Sequence, residues 1–484
     1  MCAPPSRCSA SAVSFAPRIV SLIERRRGRA GASVAACAMV LLGAGPAFGS
    51  GFSAAEFGGE HGNVVTTEPT ALYFNPAGMA LSSGTHFYAS GILGVRRGSW
   101  IHPKAPSEMA DPPGAEGADD GEARFSNVLA APALAATAWL GRVALGAGVY
   151  VPFGGRVHWD TNPRFASSPD YSQATDGIQR WHVIEGSLQS VYFTLGAGVR
   201  LGPLALGLTG NLVRSAVYLR QAKSFSAMSV DASNEGRITL DVAGWQASLG
   251  LGAMLEAIPD RLWIGASYQT QPGFGPLQLD GTLTISDRTG AAAGRAVTYH
   301  SALPDILRFG VRVRALGGAH PLELRAYGDL TRWSRLQTQC VSVRGQPCAV
   351  FPDGGDATSG ASTVENLRRF WSDTSGVMVA ASTWASADVE LFAGVGYATA
   401  APPDTTLDPV LPDAKNVRFT FGGRFALPRG LHLTAGLTDV QYASRDNTGR
   451  STLSDAQLPT RRADGGGKYA LWLGILHVAL EKEL

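Results

Sequence analysis

From residue 84 onward the chain alternates apolar with small or polar residues at a period of two, and the gaps between the alternating stretches are themselves alternately short and long. In 142–153, Val143, Leu145, Ala147, Val149 and Val151 share one face, and Arg142, Ala144, Gly146, Gly148 and Tyr150 share the other. The same division holds in 191–201 and in 417–427, where Phe419, Phe421 and Phe425 line the apolar face. A period of two is the signature of strands exposed on one side to a different medium than on the other. Short turns fall near 141, 202, 257–259, 316–320, 386 and 428–429, and long loops at 98–121, 154–186, 220–239, 287–296, 334–370, 400–415 and 443–467. That rhythm predicts fourteen antiparallel strands closed into an all-β transmembrane barrel, with short turns on the periplasmic side and long loops outside. The stretch 260–286 counts as one strand, with Pro272-Gly273 a kink inside it.

Composition agrees with a membrane β-protein. Gly is abundant at 59 residues and charged residues are only 17%. No blade-length repeat supports a soluble propeller. Residues 1–50 read as a signal peptide: Arg25, Arg26, Arg27 and Arg29 precede an apolar run from Ala30 to Ala47, and Ala47-Phe48-Gly49 is a small-x-small cleavage site, so the mature chain is expected to start near Ser50. Six of the 41 basic and one of the 39 acidic residues lie in that segment, leaving 35 against 38. The apparent basicity therefore belongs to the signal, and nothing supports nucleic-acid binding. Outside the signal only Cys340 and Cys348 remain, a pair expected to form a disulfide in the extracellular loop 334–370.

Residues 51–83 differ from the barrel stretch of 84–484. They are Gly-rich with scattered aromatics, and Phe52, Phe57, Tyr73 and Phe74 are too apolar to hang in water, so the segment is expected to fold into the lumen as a plug or hatch. Asn75 is expected to bond neighbouring backbone and hold the turn that Pro76 fixes, and Gly78 to let the chain pass close to the wall. The stretch Ala71 to Leu81, ALYFNPAGMAL, resembles the hatch signature of the long-chain fatty acid transporter family of outer-membrane proteins, the FadL/TodX type. Four more segments agree in order: GAGVYVPFG at 146–154 with the third strand, LPDILRFGVRVR from Leu303 with the eighth, YGDLTRWSRL from Tyr327 with the ninth, and GYATAAPPDTTLDPVLPD from Gly396 with the loop after the eleventh. The resemblance runs from about residue 51 to the end. It implies fourteen strands, an N-terminal hatch, and uptake of long-chain fatty acids or other hydrophobic compounds. It also implies a kink in the third strand with a sideways exit into the bilayer, which Gly146, Gly148, Pro152 and Phe153 would form.

No catalytic constellation stands out: there is no nucleophile elbow, no zinc-type His spacing and no phosphate loop, so neither an enzyme, a metal site nor a cofactor is expected. Arg308, Arg312 and Arg314 are expected to face inward, beside Glu323, Arg325, Tyr327 and Asp329 of the next strand. A structural salt-bridge ladder is the simpler reading of these charges. The functional one is that an Arg left over meets a ligand carboxylate. The glycines at 146, 148, 196, 198, 250, 252, 394 and 396 all fall on the inward parity and keep space in the lumen. The expected partners are a hydrophobic small molecule and outer-membrane lipid, with the chain working as a monomer in the bacterial outer membrane. The rival readings are a structural or adhesive barrel with an inert lumen, and an open diffusion porin.

Overall fold

The computed structural model describes residues 57–104, 111–318, 320–358 and 362–484. The expected signal peptide, its cleavage site and Phe52 lie outside the described residues. The described residues form nineteen strand segments in one antiparallel sheet that closes on itself. Eight segments are halves of four interrupted staves and one is the two-residue strand Arg445–Asp446, which leaves fourteen staves. They are β1 (Thr85–His102), β2 (Gly121–Leu140), β3 (Val143–His158), β4 (Glu185–Leu201), β5 (Leu204–Ser224) and β6 (Glu235–Ile258). Then come the split staves β7 (Leu262–Gln269 with Leu277–Ser286), β8 (Ala292–Ser301 with Ile306–Leu316), β9 (Leu322–Thr331 with Thr338–Val343) and β10 (Thr363–Arg368 with Thr374–Ser386). The circle finishes with β11 (Val389–Ala398), β12 (Asn416–Leu427), β13 (Leu431–Tyr442) and β14 (Lys468–Glu483). β14 pairs with β1 from His86↔Glu483 to Ile101↔Lys468, so no edge is left open there.

The alternation sorts as expected. Val143, Leu145, Phe193, Leu195, Phe419, Phe421 and Phe425 are exposed on the outer surface, where a bilayer covers them, while their neighbours Ala144, Tyr192 and Thr194 are buried inside. One position departs from the pattern. Val151, which the alternation puts on the outer face, is buried, because the register of β3 against β4 breaks between Tyr150 and Phe153 and flips the parity above it.

Pro272-Gly273 does interrupt one stave: both halves of β7 pair with β6, Arg237↔Ser286 above and Gly250↔Gln269 below. The interruption is not isolated. β8, β9 and β10 break beside it, at 302–305, 332–337 and 369–373, so that four neighbouring staves share a belt of irregular backbone. Pro272 and Pro304 lack the N–H a ladder needs. Asp305 stitches the belt, bonding Tyr268 Oη at 2.8 Å and Arg332 Nη1 at 3.1 Å. The segments Thr338–Val343 and Thr363–Arg368 therefore extend the wall through what the spacing reads as a loop at 334–370. A disulfide joins Cys340, on that extension, to Cys348, with 6.3 Å between Cα atoms.

Candidate functional site

Most of residues 57–80 are buried among inward-facing side chains of staves all around the barrel. A short α-helix, α1 (Ala71–Phe74), is followed by a 3₁₀ turn from Pro76 to Leu81. Asn75 sits at the junction. Its Nδ2 donates to Val64 O at 2.8 Å and to Ala253 O of β6 at 3.0 Å, and its Oδ1 accepts from Ala77 N at 3.2 Å. One side chain thus caps the turn, closes the segment's own loop and ties both to the wall. Ser267 of β7 adds a bond from its Oγ to Phe74 O at 2.6 Å.

The glycines of β3 to β6 explain how the backbone comes so close. A Cβ on Gly207 would lie 2.3 Å from Ala77 N, one on Gly252 2.1 Å from Asn75 Oδ1, and one on Gly146 2.6 Å from Met79 Sδ. Much of the space that inward glycines keep is therefore filled by this segment rather than left empty. Gly78 itself passes closest to the segment's own Thr66 carbonyl, 2.1 Å from where its Cβ would be, rather than to the wall.

The other side of the segment is charged. Glu60 meets Arg325 Nε at 3.0 Å and Tyr327 Oη at 3.0 Å, His61 meets Glu390 at 2.9 Å, and Glu68 meets Arg424 at 2.7 Å. Burial pushes the Glu60 carboxyl above its usual range despite Arg325. Burial also opposes the charge on His61, but the carboxylates of Glu390 and Glu68 outweigh it and hold the imidazole above its ordinary value. For Glu68, burial acts to raise the carboxyl, but Arg424 and His61 together outweigh it and keep the group low.

Two cavities lie beyond the segment. The outer one encloses about 1030 Å³ of empty space, its mouth included, and is walled by aliphatic groups such as Leu188, Ile238, Leu283, Val341 and Leu473. Its polar lining includes Arg96, whose Nη2 donates to Pro412 O at 2.8 Å, and Gln221, Gln339 and Glu365, which Arg462, Lys223 and Arg369 bond from the loop side. The inner cavity touches the segment at Glu60, Asn63 and Phe74 and is lined on its other side by Arg308, Tyr327, Trp333 and Arg418. Between them stands an aromatic cluster. Phe153 reaches Tyr192 and Trp333 at 6.3 Å between ring centroids, Trp333 packs on Trp371 at 5.0 Å, and Tyr150 stacks on Phe57 at 5.1 Å. The belt of breaks supplies Trp333 and Trp371, and the irregular part of β3 supplies Phe153.

The wall itself is incomplete beside that cluster. β2 and β3 pair from Leu140↔Val143 only as far as Leu134↔Val149. Above that rung, residues 128–133 of β2 face 150–157 of β3 without ladder pairing, while β2 stays paired to β1 throughout. Two prolines mark the gap. Trp139 N bonds Gly84 O, just before β1, so the even-numbered residues of β2 turn their backbone toward β3, and Pro132 has no N–H to offer there. Pro152, with Val151, forms the register break on β3. Gly146 and Gly148 lie below it, in regularly paired strand against segment residues Met79 and Leu72. Leu129 and Gly154 to Val157 line both this opening and the outer cavity.

The expected arginines separate by environment. Arg325 is consumed by Glu60, Glu323 and Ser382. Arg308 is buried with its guanidinium 4.5 Å from the centre of the Tyr73 ring, and its Nη1 has no hydrogen-bond partner among the described residues. Arg312 and Arg314 stack on Trp263, at 4.2 and 5.9 Å. The sequence offered no sign of the Trp333–Trp371–Phe153 cluster, since each residue reads singly as an aromatic near a strand end.

The family profile described as outer membrane protein transport protein (OMPP1/FadL/TodX) matches residues 50–465. Among solved structures, a Pseudomonas aeruginosa FadL homologue is similar at a TM-score of 0.72 and 16% identity, covering 90% of this chain and 100% of that one. The Ralstonia pickettii toluene transporter TbuX is similar at 0.58 and 17%, covering 92% and 100%, and the P. putida toluene transporter TodX at 0.60 and 17%, covering 86% and 94%. No curated protein matches the chain. At such identities the structures speak for the fold, and the profile, spanning most of the sequence, speaks for descent: this chain belongs to the OMPP1/FadL/TodX family of outer-membrane transport proteins.

Proposed function

We propose that this protein takes up hydrophobic small molecules, long-chain fatty acids or hydrocarbons, passively across the outer membrane. A ligand leaves water for the apolar outer cavity, where each buried methylene contributes about 0.8 kcal/mol. It then moves past Phe153 and Trp333 toward the inner cavity beside residues 57–83. Arg308 is the group best placed to meet a carboxylate, since it alone of the four expected arginines borders the inner cavity with an unpartnered guanidinium nitrogen. Release is sideways, through the gap between β2 and β3, into the bilayer. The segment 51–83 acts as the hatch, holding the lumen closed to water while the greasy path stays open.

The observation that carries this reading is the contact between the outer cavity and the unpaired stretch of wall through Leu129 and Gly154 to Val157. An inert adhesive barrel needs neither. A porin needs an open polar eyelet, and the burial of Phe57, Tyr73 and Phe74 speaks against one. Proteoliposomes should accumulate a fluorescent fatty acid yet fail to swell in small sugars. Deleting residues 51–70 should raise small-solute conductance in planar bilayers. Unchanged conductance would remove the hatch from the mechanism, and swelling of the intact protein in sugars would make it a porin.

A further inference from the structure

The two staves that part above Leu134 and Val149 meet again higher up, and a side chain makes the first join. Asn127 of β2 donates from Nδ2 to His158 O of β3 at 3.3 Å and accepts at Oδ1 from His158 N at 3.1 Å. The reason lies in the register. Arg124 is ten residues from Leu134, whereas Asp160 is eleven from Val149, so β3 carries one residue more than β2 across the gap. With the rungs out of step, the backbones do not meet at this level. A carboxamide carries the same donor and acceptor as a peptide group, and it can stand in for the missing rung.

Asparagine is an unfavourable residue for a strand, and this one is buried, between the inward-facing Phe125 and Leu129. Its position is accounted for by these two bonds. Above it the closure is firmer: Phe125 packs on Trp159 at 4.8 Å between centroids, and Asp160 N bonds Arg124 O at 2.8 Å. Asn127 is therefore the first and lightest fastening above the opening.

We infer that Asn127 is a latch, a positioning residue that sets the upper limit of the opening between β2 and β3 and so the girth of the molecules that leave through it. This rests on the sideways release proposed above. Without the latch the opening lengthens to the Asp160–Arg124 contact and stops there, so the barrel stays assembled while its selectivity changes. Bulky ligands gain and straight chains, which already pass, do not.

The test compares the full-length protein with Asn127→Ala in proteoliposomes, using a straight-chain and a bulky polycyclic fluorescent fatty acid. Spin labels at Val128→Cys and Arg156→Cys, both exposed and on opposite sides of the gap, report its width. The expected result is a longer, broader distance distribution and a roughly tenfold rise in the bulky-to-straight uptake ratio, the size two ordinary hydrogen bonds would give. Asn127→Asp keeps the acceptor for His158 N–H and loses the donor, so it should move both readouts the same way by less, and it serves if the alanine variant does not assemble. An unchanged ratio and distance overturn the latch, as does an equal fall in uptake of both probes. A thiol-to-thiol crosslink between Ala133→Cys and Val151→Cys separates the two layers of the argument. If uptake survives that crosslink, sideways release itself fails and the latch with it. If the crosslink stops uptake and Asn127→Ala changes nothing, the latch alone fails.

Discussion

Two seams in the same wall, β2–β3 and β4–β5, begin from similar sequence and end differently. β4 and β5 pair without a break from Glu185↔Arg220 to Leu201↔Leu204, and β5 and β6 from Leu204↔Leu255 to Ser224↔Glu235. This continuous wall is the bed of the N-terminal segment, gripped through Gly207, Gly252 and the Asn75–Ala253 bond. β2 and β3 pair over less than half their length and part where Pro132 and Val151-Pro152 lie. A regular ladder lets a polypeptide be clamped against glycine at van der Waals distance, and an interrupted one leaves a gap in the wall, the exit in the proposed mechanism. The two lie on neighbouring staves, so the segment sits beside the gap: Leu72 and Met79 press on Gly146 and Gly148 just beneath it.

The contrast breaks most sharply if the bed is spoiled. Leucine at Gly207 cannot coexist with Ala77 and Pro76, and overpacking of that kind costs about 3 kcal/mol or more. Gly207→Leu should dislodge the segment and produce steady small-ion conductance in planar bilayers, whereas Gly210→Leu, with nothing within 4 Å of its Cβ, should stay silent. Equal conductance from both would show that the bed does not hold the segment.

The seams themselves can be pinned. Bridging Ala133→Cys to Val151→Cys should reduce fatty-acid uptake to the background of empty liposomes, while bridging Gln189→Cys to Ala216→Cys, opposite each other on the intact seam, should leave it unchanged. Loss in both would mean that stiffness of the whole wall matters rather than the opening.

A smaller effect is expected from Asn75→Ala. It leaves the buried carbonyl of Val64 and the half-buried one of Ala253 short of a donor, a cost of roughly 1–3 kcal/mol. The barrel should still assemble and keep its heat-modifiable mobility on gels, with uptake reduced. If assembly and uptake fall together, Asn75 serves folding only.

The smallest expected effect is that of pH. Glu390 and Glu68 hold His61 protonated above the value it would have unfolded, so its contribution to docking is complete below about pH 6.5 and is lost as pH rises through the raised value. Protection of 57–70 against hydrogen exchange, after correction for the intrinsic rise of amide exchange with pH, should therefore fall as pH rises above 6.5, and His61→Gln should flatten that dependence. A loss of protection toward acid would reverse the sign and point to the carboxylates instead.

Much of this architecture was legible in the chain because it follows from local rules. Period-two alternation, turn residues at 141 and 202, and the short–long rhythm of gaps are each written over a few neighbouring residues, and they predict most staves closely, though not the extensions of β9 and β10 into the expected loop 334–370. Pro272-Gly273 is read correctly as a kink because proline removes a donor wherever it stands. The apolar character of Phe57, Tyr73 and Phe74 points to burial before any partner is known.

What the sequence by itself determined is thus the barrel, its strand count and the need to bury residues 57–83. Register and coincidence across staves were decided only by the tertiary structure. Val151 looks like an outward residue until the break in register of β3 against β4 between Tyr150 and Phe153 is seen, and that break exists only between two strands. Asn127 looks like a misplaced polar residue until His158 arrives opposite it. Trp333, Trp371 and Phe153 are far apart in sequence and form a cluster because four adjacent staves break at one level and face the break in β3 across the lumen. A pattern along one strand fixes which face a side chain takes. Which side chain it meets depends on closing the whole sheet, and no single strand carries that information.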